Sequence, residues 1–245
     1  MTAPALRTEP VFPPQVWRGR ELAQAQEKTL STGHAALDAQ LPGQGWPLGH
    51  LVEVLLPQAQ LHVWQLLGPG LALAMRSGAQ PALLVDPPYQ PFGPALRSQG
   101  IAPEQLLWVR ADKPSARLWA AEQALRCGDL CAVLAWLPQA RQEDLRRLQI
   151  VAQASEKLLV VFRGLTAREL SSPARVRLLV QGADQLEVLL LKRRGPPLLQ
   201  PLQLQAQPRR LSALLAARKA RGRSGVLTQP TSASHVLDRT ETLAG

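Results

Sequence analysis

Residues 30–63 read LSTGHAALDAQLPGQGWPLGHLVEVLLPQAQLHV. The stretch opens on Ser31, Thr32 and Gly33, reaches Leu37 and Asp38, and turns through Gly43, Gly45, Pro47 and Gly49. It then enters a six-residue run, 51–56, in which only Glu53 is polar. A continuous apolar run bounded by Gly and Pro is the pattern of a strand buried on both faces. Ser31 or Thr32 suits the cap of a short helix carrying Ala35, Ala36 and Leu37. Gly33, Gly45 and Gly49 are expected to hold backbone conformations that a side chain disfavours. A loop that cradles a phosphate after such a strand needs glycines and a lysine, and PQAQLHV at 57–63 has neither.

Working outward, the same rhythm recurs. Apolar runs at 82–86, 106–109, 131–136 and 158–162 alternate with helical patterns at 92–99, 114–127 and 141–154. That alternation predicts a mainly parallel sheet covered by helices on both faces. Residues 61–76 have helical spacing at Leu61, Trp64, Leu67, Leu71 and Met75, with Gly68, Pro69 and Gly70 expected to kink or break the helix. Beyond Phe162 no helix fits between the apolar runs 176–180 and 186–191, which predicts an antiparallel hairpin. Leu198, Leu202 and Leu204 suit an added edge strand.

At 245 residues the chain has room for one large or two small domains, and its 46% apolar content supports a true core. No stretch approaches the ~20 apolar residues that cross a bilayer, and the Pro-rich start lacks the pattern of a secretory signal. These readings exclude a membrane role and favour the cytoplasm. Cys127 and Cys131 lack the companions of a zinc site and read as reduced core thiols. The six tryptophans read mostly as core anchors; Trp46, in the Gly/Pro turn, is the best candidate for an exposed one, though a packed turn is favoured even there, and His34 and His62 read as surface or loop residues. No G-x-S-x-G occurs to support a serine hydrolase.

The net charge is +10, and nine of the basic residues lie between 192 and 223: Lys192, Arg193, Arg194, Arg209, Arg210, Arg218, Lys219, Arg221 and Arg223. No acidic residue interrupts them, so the rest of the chain is nearly neutral. Such a segment points to nucleic acid or an acidic protein. Leu211, Leu214 and Leu215 add an apolar stripe suited to docking in a partner's groove.

The spaced set Ser31-Thr32-Gly33-x-x-x-Leu37-Asp38, followed by Gly45-x-Pro47-x-Gly49-x-x-x-Glu53, resembles the start of the RecA recombinase core. With Leu-Pro-Gly-x-Gly-Trp-Pro at 41–47, the stretch is similar to the ImuA family. These are RecA-related accessory proteins of bacterial mutagenic translesion synthesis, encoded beside ImuB, an inactive Y-family polymerase homologue, and an error-prone replicative-type polymerase. The match in detail covers residues 30–56. The strand and helix rhythm carries it to about residue 195.

The resemblance implies a RecA-like fold and also where an ATPase site would lie. Its phosphate-loop glycines fall on Leu56 and Leu61, its lysine on His62 and its magnesium-binding threonine on Val63. Leucine side chains obstruct the backbone approach to phosphate, and valine has no hydroxyl for magnesium. Asp86 is retained, Pro88 stands where the catalytic glutamate would be, and Trp136 stands where a second magnesium-binding aspartate would be. The resemblance so read implies a degenerate ATPase with no cofactor and no catalytic residue.

What it implies instead is an SOS-inducible adaptor in the DNA-damage response that binds ImuB, RecA and, directly or through ImuB, the error-prone polymerase. Such a protein would be cytoplasmic and nucleoid-associated. The basic segment with its leucines is the expected partner or DNA surface. Trp17, Leu22 and Trp46 are the expected RecA contacts, with Trp17 and Leu22 on a short helix at 17–28. The domains so read are a flexible segment 1–28, a RecA-like domain 29–206 and a basic, largely disordered segment 207–245. The alternatives are a DNA-binding accessory protein and a cell-division inhibitor of the SulA kind; the longer chain and the basic segment count against the latter.

Overall fold

Leu51–Leu56, the run singled out above, forms the third strand (β3) of the chain and lies inside an eight-stranded sheet. The computed structural model describes residues 28–58, 62–78, 80–182, 185–195, 198 and 200–205. The chain divides into two compact units, Met1–Ala206 and Gln207–Gly245, and all described residues belong to the first. The expected helix at 17–28 and the segment 207–245 lie outside the described residues, Lys28 excepted.

Two short strands, β1 (Thr29–Leu30) and β2 (Trp46–Pro47), pair with each other ahead of β3. Between them lies a one-turn helix, α1 (Ala35–Asp38). After β3 come α2 (Val63–Gly78), β4 (Ala82–Val85), α3 (Gly93–Ser98), β5 (Leu106–Val109), α4 (Pro114–Arg126), β6 (Ala132–Trp136), α5 (Gln142–Gln153) and β7 (Leu158–Gly164). The chain ends in β8 (Val176–Gln181), β9 (Leu186–Lys192) and β10 (Leu202–Leu204). Across the sheet the order is β10-β9-β8-β3-β7-β6-β4-β5. The strands from β8 to β5 are mutually parallel, while β9 and β10 pair antiparallel. The fold is therefore α/β, a mainly parallel sheet flanked by helices and completed by an antiparallel hairpin, with β10 at its edge as read from the sequence; Leu198 lies outside that strand.

Alternation along β3 sorts its side chains between two cores. Val52, Val54 and Leu56 join Leu66, Leu67 and Leu71 of α2 and Leu37 of α1 on one face. On the other, Leu51 joins Ala121 and Leu125 of α4 and Leu145 and Leu148 of α5. Farther along that face, Leu55, Ala167 and Leu179 pack together. Each large apolar side chain fully buried in this way contributes about 1.5–3 kcal/mol. The α4–α5 layer is also tied by a charge pair, with Arg147 bound to the buried carboxylate of Glu122.

Several expectations are corrected here. The helix α2 runs unbroken through Gly68, Pro69 and Gly70. Pro69 has no N–H for the carbonyl of Gln65, but His34 Nε2 lies 3.0 Å from that oxygen and donates to it. The small residues also admit a close neighbour: a Cβ on Gly70 would stand 2.7 Å from the carbonyl oxygen of Ser31, and one on Gly33 would stand 2.3 Å from the Cβ of Pro69. The segment around Ser31 is thus pressed onto α2, which needs both glycines.

Ser31 and Thr32 do not cap α1; His34 holds the cap position, with no side-chain cap bond. Instead the Ser31 hydroxyl donates to Asp38 Oδ2 at 2.7 Å and the Thr32 N–H donates to Asp38 Oδ1 at 2.8 Å. The spaced Ser-Thr-Gly and Leu-Asp pairs are therefore one hydrogen-bonded box with Leu37 fully buried beneath it.

Gly33 and Gly49 do have left-handed backbones, at φ +78° and +69°. Gly45 is extended, at φ 175°, and is required for a different reason: a Cβ there would stand 2.4 Å from the carbonyl oxygen of Leu30. Trp46 is fully buried and so is no exposed RecA contact. Among the described residues Trp119 is the exposed tryptophan, on the outer side of α4, and Cys127 is an exposed thiol rather than a core one. His34 and His62 do lie in loops, but His62 is buried and His34 half-buried.

Candidate functional site

Strands β3, β4, β6 and β7 all end at the same edge of the sheet. From β4 the chain passes on to β5, whereas from β6 it turns the other way to β7. Where neighbouring parallel strands send their chains apart, a crevice opens beyond their carboxyl ends. A cavity of about 250 Å³ lies there, walled by Leu56, Pro57, Pro88, Pro138, Trp136 and Phe162, with Asp86, Arg117, Arg163 and Gly164 completing it.

The structure thus brings together Leu56, Asp86, Pro88 and Trp136, which the sequence reading placed in one degenerate nucleotide site. Leu56 ends β3, Trp136 ends β6, and Asp86 and Pro88 lie in the turn after β4. His62 and Val63 stand apart, at the start of α2. Val63 is buried in the core that also holds Leu56, Trp136 and Phe162. His62, at φ +65°, is bonded to the side chain of Gln65 and, through Nε2, lies 2.5 Å from the carbonyl oxygen of Gly182. That contact fastens the start of α2 to the turn of the β8–β9 hairpin. Leu61 lies outside the described residues.

Trp136 and Phe162 stack with ring centroids 4.5 Å apart, and together they form an aromatic wall of the cavity. Asp86 takes a left-handed backbone, at φ +51°, which a short polar side chain tolerates better than most. Its carboxylate pairs with Arg117 Nε at 2.8 Å, and the same Nε donates to Ala111 O at 2.8 Å. Arg163 donates to Glu53 Oε1 at 3.0 Å and to Ala140 O at 2.8 Å. Both cations at the cavity are therefore held by acceptors of the protein itself. Its described lining includes no Ser, Thr, Cys, Lys or His. It offers apolar and aromatic surface with one ion pair at its rim.

Glu53 is the feature that sequence reasoning under-read. It is fully buried at the middle of the sheet between two arginines. Arg163 on β7 takes one carboxylate oxygen and Arg177 Nε on β8 lies 2.9 Å from the other. Arg177 also donates to Arg168 O at 3.0 Å and to Ala167 O. Two cations around one buried carboxylate stabilise the site only when these extra acceptors satisfy the remaining N–H groups. The signal was present: LVEVLL, LLVVFRG and VRLLVQ each carry a single charged residue in a mainly apolar strand, and the signs are complementary.

Of the basic segment, Lys192, Arg193 and Arg194 are described. They follow one another from the last residue of β9, at the opposite end of the sheet from the cavity. Lys192 Nζ donates to Ser172 O at 2.8 Å, and Arg193 is bonded to Gln40 O. Arg209, Arg210, Leu211, Leu214, Leu215, Arg218, Lys219, Arg221 and Arg223 lie outside the described residues, as do Trp17 and Leu22. No described helix is long and apolar enough to cross a membrane. The chain matches no model of a protein family and no curated protein.

Proposed function

We propose that the chain is a non-catalytic accessory protein of mutagenic translesion DNA synthesis, related to the ImuA family. In this reading it is an adaptor of the cytoplasm and nucleoid that joins ImuB and RecA to the error-prone polymerase. The observation that carries it is the apolar cavity at the strand ends. Leu56, Pro88 and the Trp136–Phe162 stack occupy the crevice that a nucleotide would use. A triphosphate placed there would lose its hydration, with no lysine or hydroxyl on the described walls to replace it. The two arginines present already hold Asp86 and Glu53. Leu56 and Val63 contribute to the core rather than to a phosphate cradle, so the inherited fold supports surfaces rather than chemistry.

Two measurements test the reading. Calorimetry with ATP and magnesium is expected to give no binding heat at micromolar nucleotide; turnover that disappears in His62→Ala would refute the non-catalytic assignment. Co-expression with ImuB is expected to yield a complex that survives purification and that weakens when residues 208–245 are removed. ImuB held equally well by the shortened chain would move the partner surface to the sheet domain, and no complex with either form would end the adaptor reading.

A further inference from the structure

The walls that make the strand-end cavity unsuited to a nucleotide also define what it would admit. Proline stands in the turn after each of three strands around it: Pro57 after β3, Pro88 after β4 and Pro138 after β6. A proline ring fixes φ and has almost no rotamer freedom to lose. On the adjacent strands β6 and β7, Trp136 and Phe162 are register partners, and their stacked rings meet at an interplanar angle of 27°. Both rings are buried, so packing behind them holds them in place. The walls are therefore stiff, and a ligand would spend little free energy on ordering them.

A void in an apolar interior lowers stability in proportion to its volume, and native interiors hold few larger than a water molecule. One of about 250 Å³, set where parallel strands send their chains apart, has the size and place of a binding site. Apolar walls offer water few partners, and an engineered cavity of about 150 Å³ with similar walls takes up benzene. The larger volume here suits two fused rings rather than one. Charge is disfavoured in either sign. Arg117 is paired with Asp86 and Arg163 with Glu53, so an anion would have to break a pair, and a cation would meet both guanidinium groups. Asp86 gives Oδ2 to Arg117, and its second oxygen can accept one N–H or O–H from a ring.

We infer that the cavity binds a small uncharged aromatic molecule, of the size of indole and with one hydrogen-bond donor. Burial of the ligand's apolar surface against the prolines and the aromatic wall supplies the affinity, and the donor to Asp86 sets the orientation. The inference goes beyond the adaptor reading and requires neither ImuB nor RecA, so its failure would leave that reading as it stands.

The test uses the full chain and 5-fluoroindole, whose fluorine NMR signal shifts and broadens on binding. Saturable binding is expected, with Kd below about 1 mM. Nuclear Overhauser contacts are expected between the probe and the ring protons of Phe162, a readout that needs no variant. Gly164 lines the cavity with an ordinary φ of −77°, and an added Cβ would have no heavy atom nearer than Thr166 Oγ1, at 3.9 Å. Gly164→Leu therefore suits the backbone and adds bulk at the wall; with its melting checked first, it is expected to weaken binding about tenfold or more. Indole-3-carboxylate, the same rings with a negative charge, is expected to bind about tenfold more weakly than indole. No saturation, or Overhauser contacts only to residues outside the cavity, would overturn the inference, and so would wild-type affinity in Gly164→Leu. Equal affinity for indole and its carboxylate would overturn the assignment to an uncharged ligand.

Discussion

His34 Nε2 donates to the carbonyl oxygen of Gln65, the one acceptor in α2 that Pro69 deprives of its helical N–H. A histidine outside the helix thus repairs the defect that a proline inside it creates. His34→Ala is expected to lower stability by about 1–2 kcal/mol, because the part-buried carbonyl then loses that donor. In a Pro69→Ala background the helix supplies its own N–H, and the same His34→Ala change should cost less. A double-mutant cycle by urea denaturation measures the coupling, and additive losses would show that the two residues act separately.

The same histidine makes stability depend on pH. Burial lowers the pKa of His34 below its ordinary 6.5, and burial lowers that of His50 too. The unfolded chain therefore takes up protons more readily than the folded one. Stability is full above 6.5 and is lost as pH falls through the depressed folded-state values. Melting temperatures recorded from about pH 7 to about pH 5 are expected to fall more steeply for the wild type than for a chain carrying both His34→Gln and His50→Gln.

Glu53 opposes two buried guanidinium groups, so its removal leaves both without a counter-charge. Glu53→Leu is expected to destabilise by about 3–5 kcal/mol. Replacing all three residues with apolar ones, Glu53→Leu, Arg163→Met and Arg177→Met, is expected to recover most of that loss. Urea melts of the single and triple variants decide the matter; equal losses in both would show that the charges themselves are not the cause.

Gly49 has a left-handed backbone, and an added Cβ would stand 2.8 Å from the carbonyl oxygen of Ser155. Gly49→Val is expected to cost roughly 1–3 kcal/mol. Gly128 has nothing within 4 Å of its added Cβ, and Gly128→Ala should leave the melt nearly unchanged. Differential scanning calorimetry of the two variants makes the comparison.

Regular patterns were legible in the sequence, and their exceptions were not. The buried runs at 82–85, 132–136 and 158–162 could be read as strands because both of their faces are apolar. The fate of α2 at Pro69 depended on His34, thirty-five residues earlier and on another element. Trp46 is fully buried, as a packed turn requires, because its glycine and proline neighbours let the turn fold inward over it. The cavity positions were foreseen because each closes a strand. The gathering of Arg175 and His50 with Lys192, Arg193 and Arg194 around one concavity escaped because only the order of the strands brings them together.

Arg163 follows Glu53 by 110 residues, and β3 is hydrogen-bonded on its two sides by β7 and β8, strands from the last part of the described sheet. A chain growing from a ribosome therefore presents β3 well before either of the strands that flank it. Until residue 181 has emerged, β3 has an unpaired edge and Glu53 lacks the full pair of arginines. The pairing of β3 therefore waits for β8, and nascent chains cut short before it would carry an apolar edge strand of the kind that chaperones shield.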